Sequence, residues 1–151
     1  MEVNIRIAGE AGQGVQTTGH LLLHACARLG LYVYATQTYW SRIRGGLNWY
    51  DLRVGDAELW SGRRQADVLV ALIPEAVDEL APAVRPGGKV LFDGEAKPPA
   101  VGLPFSTSAK EVTGSAVMAN TVAAGAVFTI LGLDTNELDD HLREQFRPKG
   151  G

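Results

Sequence analysis

The stretch Val3-Asn4-Ile5-Arg6-Ile7-Ala8-Gly9-Glu10-Ala11-Gly12-Gln13-Gly14 decides the fold class. Residues 3–8 alternate apolar and polar, the two-residue period of a strand, and the alternation stops at Gly9. Gly9, Gly12 and Gly14 then make a tight turn. From Val15 to Leu29 the chain reads as a helix, with Thr17 and Thr18 near its start and Gly30 placed to end it in the left-handed conformation. Backbone N–H groups in a turn between strand and helix approach an anion at the positive end of the helix dipole. The same glycines serve equally well in a plain tight turn with no ligand. The spacing Gly9-x-x-Gly12-x-Gly14 departs from the G-x-G-x-x-G dinucleotide pattern and lacks the Lys-Ser/Thr of a P-loop. A dinucleotide site also wants an acidic residue near the end of the second strand, and no Asp or Glu occurs between Ala11 and Tyr50. Nicotinamide-dinucleotide binding fails that second test.

Beyond the first helix, Leu31 to Thr38 is β-branched and aromatic enough for a second strand. Leu47 to Val54 alternates, and a Gly55-Asp56 turn into Ala57-Glu58-Leu59-Trp60 predicts a β-hairpin over 47–60. Val68 to Ile73 is a continuous apolar run, the pattern of a strand buried on both faces. Pro74 opens a short helix reaching Ala83, and Pro86-Gly87-Gly88 turns into a strand over Lys89–Asp93. Gly94 to Pro104 holds three prolines and reads as loop, with a short strand near Val101–Phe105. Ser115 to Leu131 is a helix of small and apolar residues closed by Gly132, and Asp134 caps an amphipathic helix through Phe146. Strands separated by helices predict an α/β fold: a Rossmann-like, three-layer α/β/α sandwich with a largely parallel, mixed sheet.

The 151 residues are 46% hydrophobic and 21% charged, which suits one domain with a real core and excludes general disorder. Fourteen basic residues against seventeen acidic ones, a net charge of −3, give no support for nucleic-acid binding. A single cysteine excludes a disulfide framework, a four-cysteine zinc site and a thiolate-ligated iron–sulfur cluster within the chain. No apolar run reaches the roughly 18 residues of a membrane span, and no signal-peptide pattern opens the chain. The expectation is a cytoplasmic domain without membrane contact.

A second constellation follows the second strand. Thr38-Tyr39-Trp40-Ser41-Arg42-Ile43-Arg44-Gly45-Gly46-Leu47-Asn48-Trp49-Tyr50 carries two arginines among four aromatics. Arg42 and Arg44 suit pairing with a phosphate or carboxylate, and the aromatics suit a planar ring. The same composition fits a solvated loop or an interface with another chain. His20 and His24 stand one helical turn apart without an intervening Glu, so they form no zinc-protease motif and read as part of a helix face. Cys26 reads as a buried small hydrophobe and Arg63-Arg64 as a surface pair.

Ile7-Ala8-Gly9-Glu10-Ala11-Gly12-Gln13-Gly14-Val15, taken with Thr38-Tyr39-Trp40-Ser41-Arg42-Ile43-Arg44-Gly45-Gly46, resembles the gamma subunit or domain of 2-oxoacid:ferredoxin oxidoreductases. The resemblance extends over essentially the whole chain. The Ser41-Arg42 variant is similar to the branch in which gamma is fused ahead of the alpha portion, typical of 2-oxoglutarate-type enzymes; others carry Pro-Glu there. The family decarboxylates a 2-oxoacid on thiamine diphosphate, passes electrons through iron–sulfur clusters to ferredoxin and releases an acyl-CoA. The resemblance implies a gamma role here: packing on alpha and beta subunits, which hold the thiamine diphosphate and the cluster, and helping to bind coenzyme A. The implied coenzyme A site comprises Gly9, Glu10, Ala11, Gly12, Gln13 and Gly14, with Arg42 and Arg44; no catalytic or metal-binding residue is implied. The isolated chain is then expected to be inactive. The alternatives are a stand-alone nucleotide-binding domain and a ligand-free interaction module. In the family a Phe-x-x-Lys-Gly stretch like Phe146–Gly150 precedes a further helix, so residues 1–151 are expected to be a gamma-type domain lacking its C-terminal end, with exposed apolar surface that favours a homodimer.

Overall fold

A computed structural model describes residues 2–10, 14–39, 46–62, 64–113 and 119–145. Six strands and five helices follow one another as β1 (Glu2–Glu10), α1 (Val15–Arg28), β2 (Tyr32–Tyr39), β3 (Leu47–Gly55), β4 (Ala66–Ala71), α2 (Pro74–Leu80), β5 (Val84–Asp93), β6 (Val101–Leu103), α3 (Phe105–Thr113), α4 (Ala119–Leu131) and α5 (Thr135–Gln145). The strands form one sheet in the order β2-β3-β1-β4-β5-β6. β1, β4, β5 and β6 run parallel, and β3 is antiparallel to both of its neighbours, β1 and β2. β2 therefore points the same way as β1, and β3 alone is reversed.

The alternation of β1 explains the layering. Val3, Ile5 and Ile7 face the larger core with Tyr50, Leu52 and Val54 of β3 and Val68 and Val70 of β4, under α1, α3, α4 and α5. The opposite face carries Ala8, Leu69, Ala71, Val90 and Phe92, covered by Ala76, Val77 and Leu80 of α2. The result is a Rossmann-like three-layer α/β/α sandwich with unequal outer layers. Where α2 does not reach, the second face is polar. Arg6 forms a two-point ion pair with Asp51 (Nε–Oδ1 2.7 Å, Nη2–Oδ2 3.2 Å) and donates to the Arg64 carbonyl. Arg53 reaches Glu2 and the Ser61 carbonyl, and the Asn4 amide donates to the Gln65 carbonyl. The segment leading from β3 to β4 thus crosses over β1 and is tied down by polar side chains of the sheet.

Several sequence expectations are corrected. The predicted hairpin over 47–60 does not form: residues 57–60 are not a strand, and β3 finds its antiparallel partners in β1 and β2. The next strand lies at 66–71 rather than 68–73, since Pro74 starts α2 and Ile73 caps it. Pro86-Gly87-Gly88 lies within β5, not ahead of it. β4 pairs Ala66 with Val84 and Val68 with Lys89, so the proline-glycine stretch bulges out of the ladder. Asp67, opposite the bulge, accepts from the Asn4 backbone N–H at 2.7 Å and is ion-paired with Arg85. A helix, α3, occupies 105–113, where none was expected; Phe105 starts it and is fully buried rather than ending a strand. The predicted start of the Ser115 helix falls outside the described residues; α4 is observed from Ala119. Asp134 behaves as expected, accepting the Asn136 N–H at 2.9 Å ahead of α5.

Candidate functional site

In an open α/β sheet, ligands bind beyond the carboxyl ends of the parallel strands, where the chain leaves neighbouring strands in opposite directions. Here that place lies between β1 and β4. β1 leads through α1 toward β2 on one side, while β4 leads through α2 toward β5 on the other. The two strand ends are joined by the Leu72 N–H, which donates to the Ala8 carbonyl at 2.9 Å.

Gly9 and Glu10 are the last residues of β1, with Gly9 opposite Asn48 and Glu10 opposite Leu47 on β3. Gly14 caps α1 in the left-handed conformation (φ 82°, ψ 22°), which a residue with a Cβ enters only at a cost. Its carbonyl accepts both the backbone N–H and the hydroxyl of the fully buried Thr18, each at 2.9 Å, which closes the first turn. Among the described residues no side chain caps α1, and its first turn holds no acidic residue. The other two helices that start at this end carry carboxylates there. α2 has Glu75 in its first turn, and Asp93 accepts the Ser106 N–H at 3.1 Å and its hydroxyl at 2.5 Å at the start of α3. Among these helix starts, α1 is the one suited to an anion.

Ala11, Gly12, Gln13, Arg42 and Arg44 lie outside the described residues. Their described flanks do come together. Tyr39, the end of β2, pairs with Asn48, which also pairs with Gly9. The described residues on either side of the two arginines therefore lie beside the end of β1. Asn48 ends the stretch Arg42-Ile43-Arg44-Gly45-Gly46-Leu47-Asn48. Its register with Gly9, and its spacing from Tyr50 and Leu52, put it on the α1 side of the sheet.

α1 itself is seated by Gly19. A Cβ built there would lie 2.4 Å from Cδ1 of Tyr50, so only glycine lets the helix approach β3 this closely. The His20 ring meets the same tyrosine edge-on, with centroids 5.7 Å apart. His20 and His24 are exposed on α1, as expected of a helix face, but with His141 they line an open cleft of about 520 Å³ against α5, together with Thr17, Leu21 and Glu144. The His24 and His141 rings stack at 5.3 Å. Burial and the neighbouring His24 and Arg28 push the His141 pKa below its ordinary value. Among the described residues no His, Cys, Asp and Glu cluster could hold a metal ion. Cys26 is fully buried, and burial pushes its thiol up to about 12, so it is neither a nucleophile nor a metal ligand at neutral pH.

Residues 4–151 match the family model described as pyruvate ferredoxin/flavodoxin oxidoreductase. The chain is 34% identical over 149 residues to a 2-oxoglutarate synthase subunit, KorC, of Archaeoglobus fulgidus, an alignment covering 97% of this chain and 80% of that protein. The chain belongs to this family. Among solved structures, the gamma subunit of a keto/oxoacid ferredoxin oxidoreductase from Geobacter sulfurreducens superimposes with a TM-score of 0.80 at 26% identity, over 94% of this chain and 85% of that one. This gamma-type domain also matches a 2-oxoglutarate:ferredoxin oxidoreductase from Magnetococcus marinus, whose structure holds 2-oxoglutarate, coenzyme A and succinyl-CoA. That match has a TM-score of 0.85 at 32% identity and covers 99% of the domain but 28% of the larger chain. The ketoisovalerate oxidoreductase subunit VorA of Methanothermobacter marburgensis, 33% identical, is likewise spanned over only 33% of its length.

Proposed function

We propose that this gamma-type domain serves an oxidoreductase that oxidatively decarboxylates a 2-oxoacid to an acyl-CoA, and that it anchors the phosphates of coenzyme A. The observation that carries the proposal is the start of α1 at the switch point of the sheet. Among the described residues it has no side-chain cap and no acidic residue in its first turn, and it opens on the left-handed Gly14. Coenzyme A is polyanionic at one end and reactive at its thiol at the other. A fixed phosphate anchor lets the thiol reach a reacting centre elsewhere without the domain taking part in the chemistry. Gly9 and Glu10 set the exit of β1, residues 11–13 supply further amides, and Arg42 and Arg44 supply guanidinium partners for the phosphates.

Thiamine diphosphate and an iron–sulfur cluster belong, on this proposal, to alpha and beta partner subunits, with ferredoxin as the electron acceptor. The donor set of this chain supports that division, because its one cysteine is buried and stays protonated. No helix among the described residues is long and apolar enough to cross a membrane, and cytoplasmic placement is part of the proposal.

The test compares two glycines at opposite ends of α1 in the complex assembled with its partner subunits. Gly14 and Gly30 have nearly equal positive φ, 82° and 79°, so alanine strains both alike. That strain, about 1–2 kcal/mol, corresponds to a rise of about 5- to 30-fold in KM for coenzyme A if it is all felt in binding. Gly14→Ala is expected to raise the KM while decarboxylation persists, and Gly30→Ala to leave it unchanged. Equal KM values for both variants would overturn the anchor.

A further inference from the structure

The two edges of the sheet are treated very differently. β6 is three residues long and follows the Pro98-Pro99 loop, so one edge is blunted. β2 is eight residues long, Tyr32-Val33-Tyr34-Ala35-Thr36-Gln37-Thr38-Tyr39, and pairs with β3 in unbroken register from Tyr32↔Gly55 to Tyr39↔Asn48. It carries no charge, no proline and no bulge, the devices by which natural sheets guard an open edge. The described residues include five exposed large hydrophobic side chains, and three of them flank this edge. Tyr32 and Tyr39 stand at the two ends of β2. Trp60, 82% exposed, leads into Gly62, which packs beside Tyr34.

We propose that β2 pairs antiparallel with β2 of a second copy of this chain, joining the two sheets into one. The strand is self-complementary. A twofold axis normal to the sheet at Ala35 keeps the helix layers on one side. It sets Tyr34 opposite Thr36 and Tyr32 opposite Thr38 of the second copy, with Val33 opposite Gln37 on the helix side. These are aromatic or β-branched pairs with polar uncharged partners, which cross-strand packing favours, and no like charges meet. Neutral along its whole length, β2 finds in a second copy an equally neutral and self-complementary strand, whereas a charged partner strand would meet no counter-charge. The pairing gives the outward N–H and C=O groups of β2 their partners and covers the aromatic flanks.

The full-length chain is tested by light scattering over a dilution series, with hydrogen exchange of residues 32–39. The expected result is a doubled mass at high concentration and slow exchange of the β2 amides that do not bond to β3, lost together on dilution. Thr36→Lys, on the exposed face away from α1, writes in the missing guard and is expected to give a folded monomer. A wild-type chain that stays monomeric throughout overturns the proposal. So does a dimer whose β2 amides exchange freely, or one that survives Thr36→Lys with β2 still unprotected. Should the lysine variant misfold, the concentration dependence of β2 protection in the wild type decides: present, it supports the pairing, and absent, it refutes it. Protection that arises only when oxidoreductase partner subunits are added assigns the edge to them and also refutes it.

Discussion

Gly19→Ala should change sign according to what stands at position 50. A Cβ at residue 19 would lie 2.4, 2.6 and 2.7 Å from Cδ1, Cγ and Cε1 of Tyr50, whereas carbon pairs settle at about 3.5–4.0 Å. The ring therefore has to retreat by about 1 Å to reach ordinary contact. It is 5% exposed and packed in the larger core. Overpacking of this kind costs about 1–3 kcal/mol, and replacing a helical glycine by alanine returns about 1 kcal/mol. The net expectation is a loss of up to about 2 kcal/mol. Tyr50→Ala alone should cost about 3–5 kcal/mol, as for other large aromatics in a core. In that background the new methyl meets no ring, and Gly19→Ala should stabilise the protein by up to about 1 kcal/mol. Urea denaturation of the four proteins, with m-values checked for constancy, measures the cycle. If Gly19→Ala has the same effect in both backgrounds, the contact with Tyr50 is not what keeps this position glycine.

The His141 pKa is lowered, chiefly by burial and then by His24 and Arg28, against an opposing pull from Glu144. The unfolded state thus binds more protons in the window below 6.5, so stability is highest above it and falls as pH drops toward the folded-state pKa. Melting temperatures at neutral and mildly acid pH should converge in His141→Gln, and an unchanged pH slope in that variant would count against the assignment. Asp93→Ala, which removes the acceptor of both Ser106 hydrogen bonds at the start of α3, is expected to cost about 0.5–2 kcal/mol in chemical denaturation. A loss indistinguishable from zero would show that solvent caps α3 equally well.

The elements with a clean period were legible. The alternation of residues 3–8 and the apolar run at 68–73 announced β1 and β4, with β4 shifted to 66–71, and Gly30 with its φ of 79° ends α1 as expected. The failures share a cause, which is that pairing is decided at long range. Gly55-Asp56 has the chemistry of a hairpin turn, yet β3 gains two long neighbours in β1 and β2, whereas residues 57–60 would have offered only a short one. Pro86-Gly87-Gly88 looks like a boundary, but β4 pairs with Val84 before it and with Lys89 after it, and Asp67 opposite the bulge is ion-paired with Arg85. The segment 105–113 has no strong apolar run. It becomes a helix because Phe105 and Ala109 are buried one turn apart and Asp93, a dozen residues earlier, meets its first turn. At the site, the glycines marked where β1 ends and α1 begins. The stacking of His24 on His141 joins residues 117 positions apart, and no local pattern announces it.

The reversed direction of β3 has a consequence for how such domains diversify. Because β3 runs back against two neighbours that both point toward the switch-point end of the sheet, the roots of the connection between β2 and β3, Tyr39 and Leu47, are clamped in the ladder at that end. On the proposed function, changes of length or composition within residues 40–46 alter what is offered to coenzyme A without shifting a single strand pair. The sheet works as a fixed socket and this connection as an exchangeable bit. Engineering of coenzyme or partner preference should begin by swapping that segment between relatives, leaving β2 and β3 untouched.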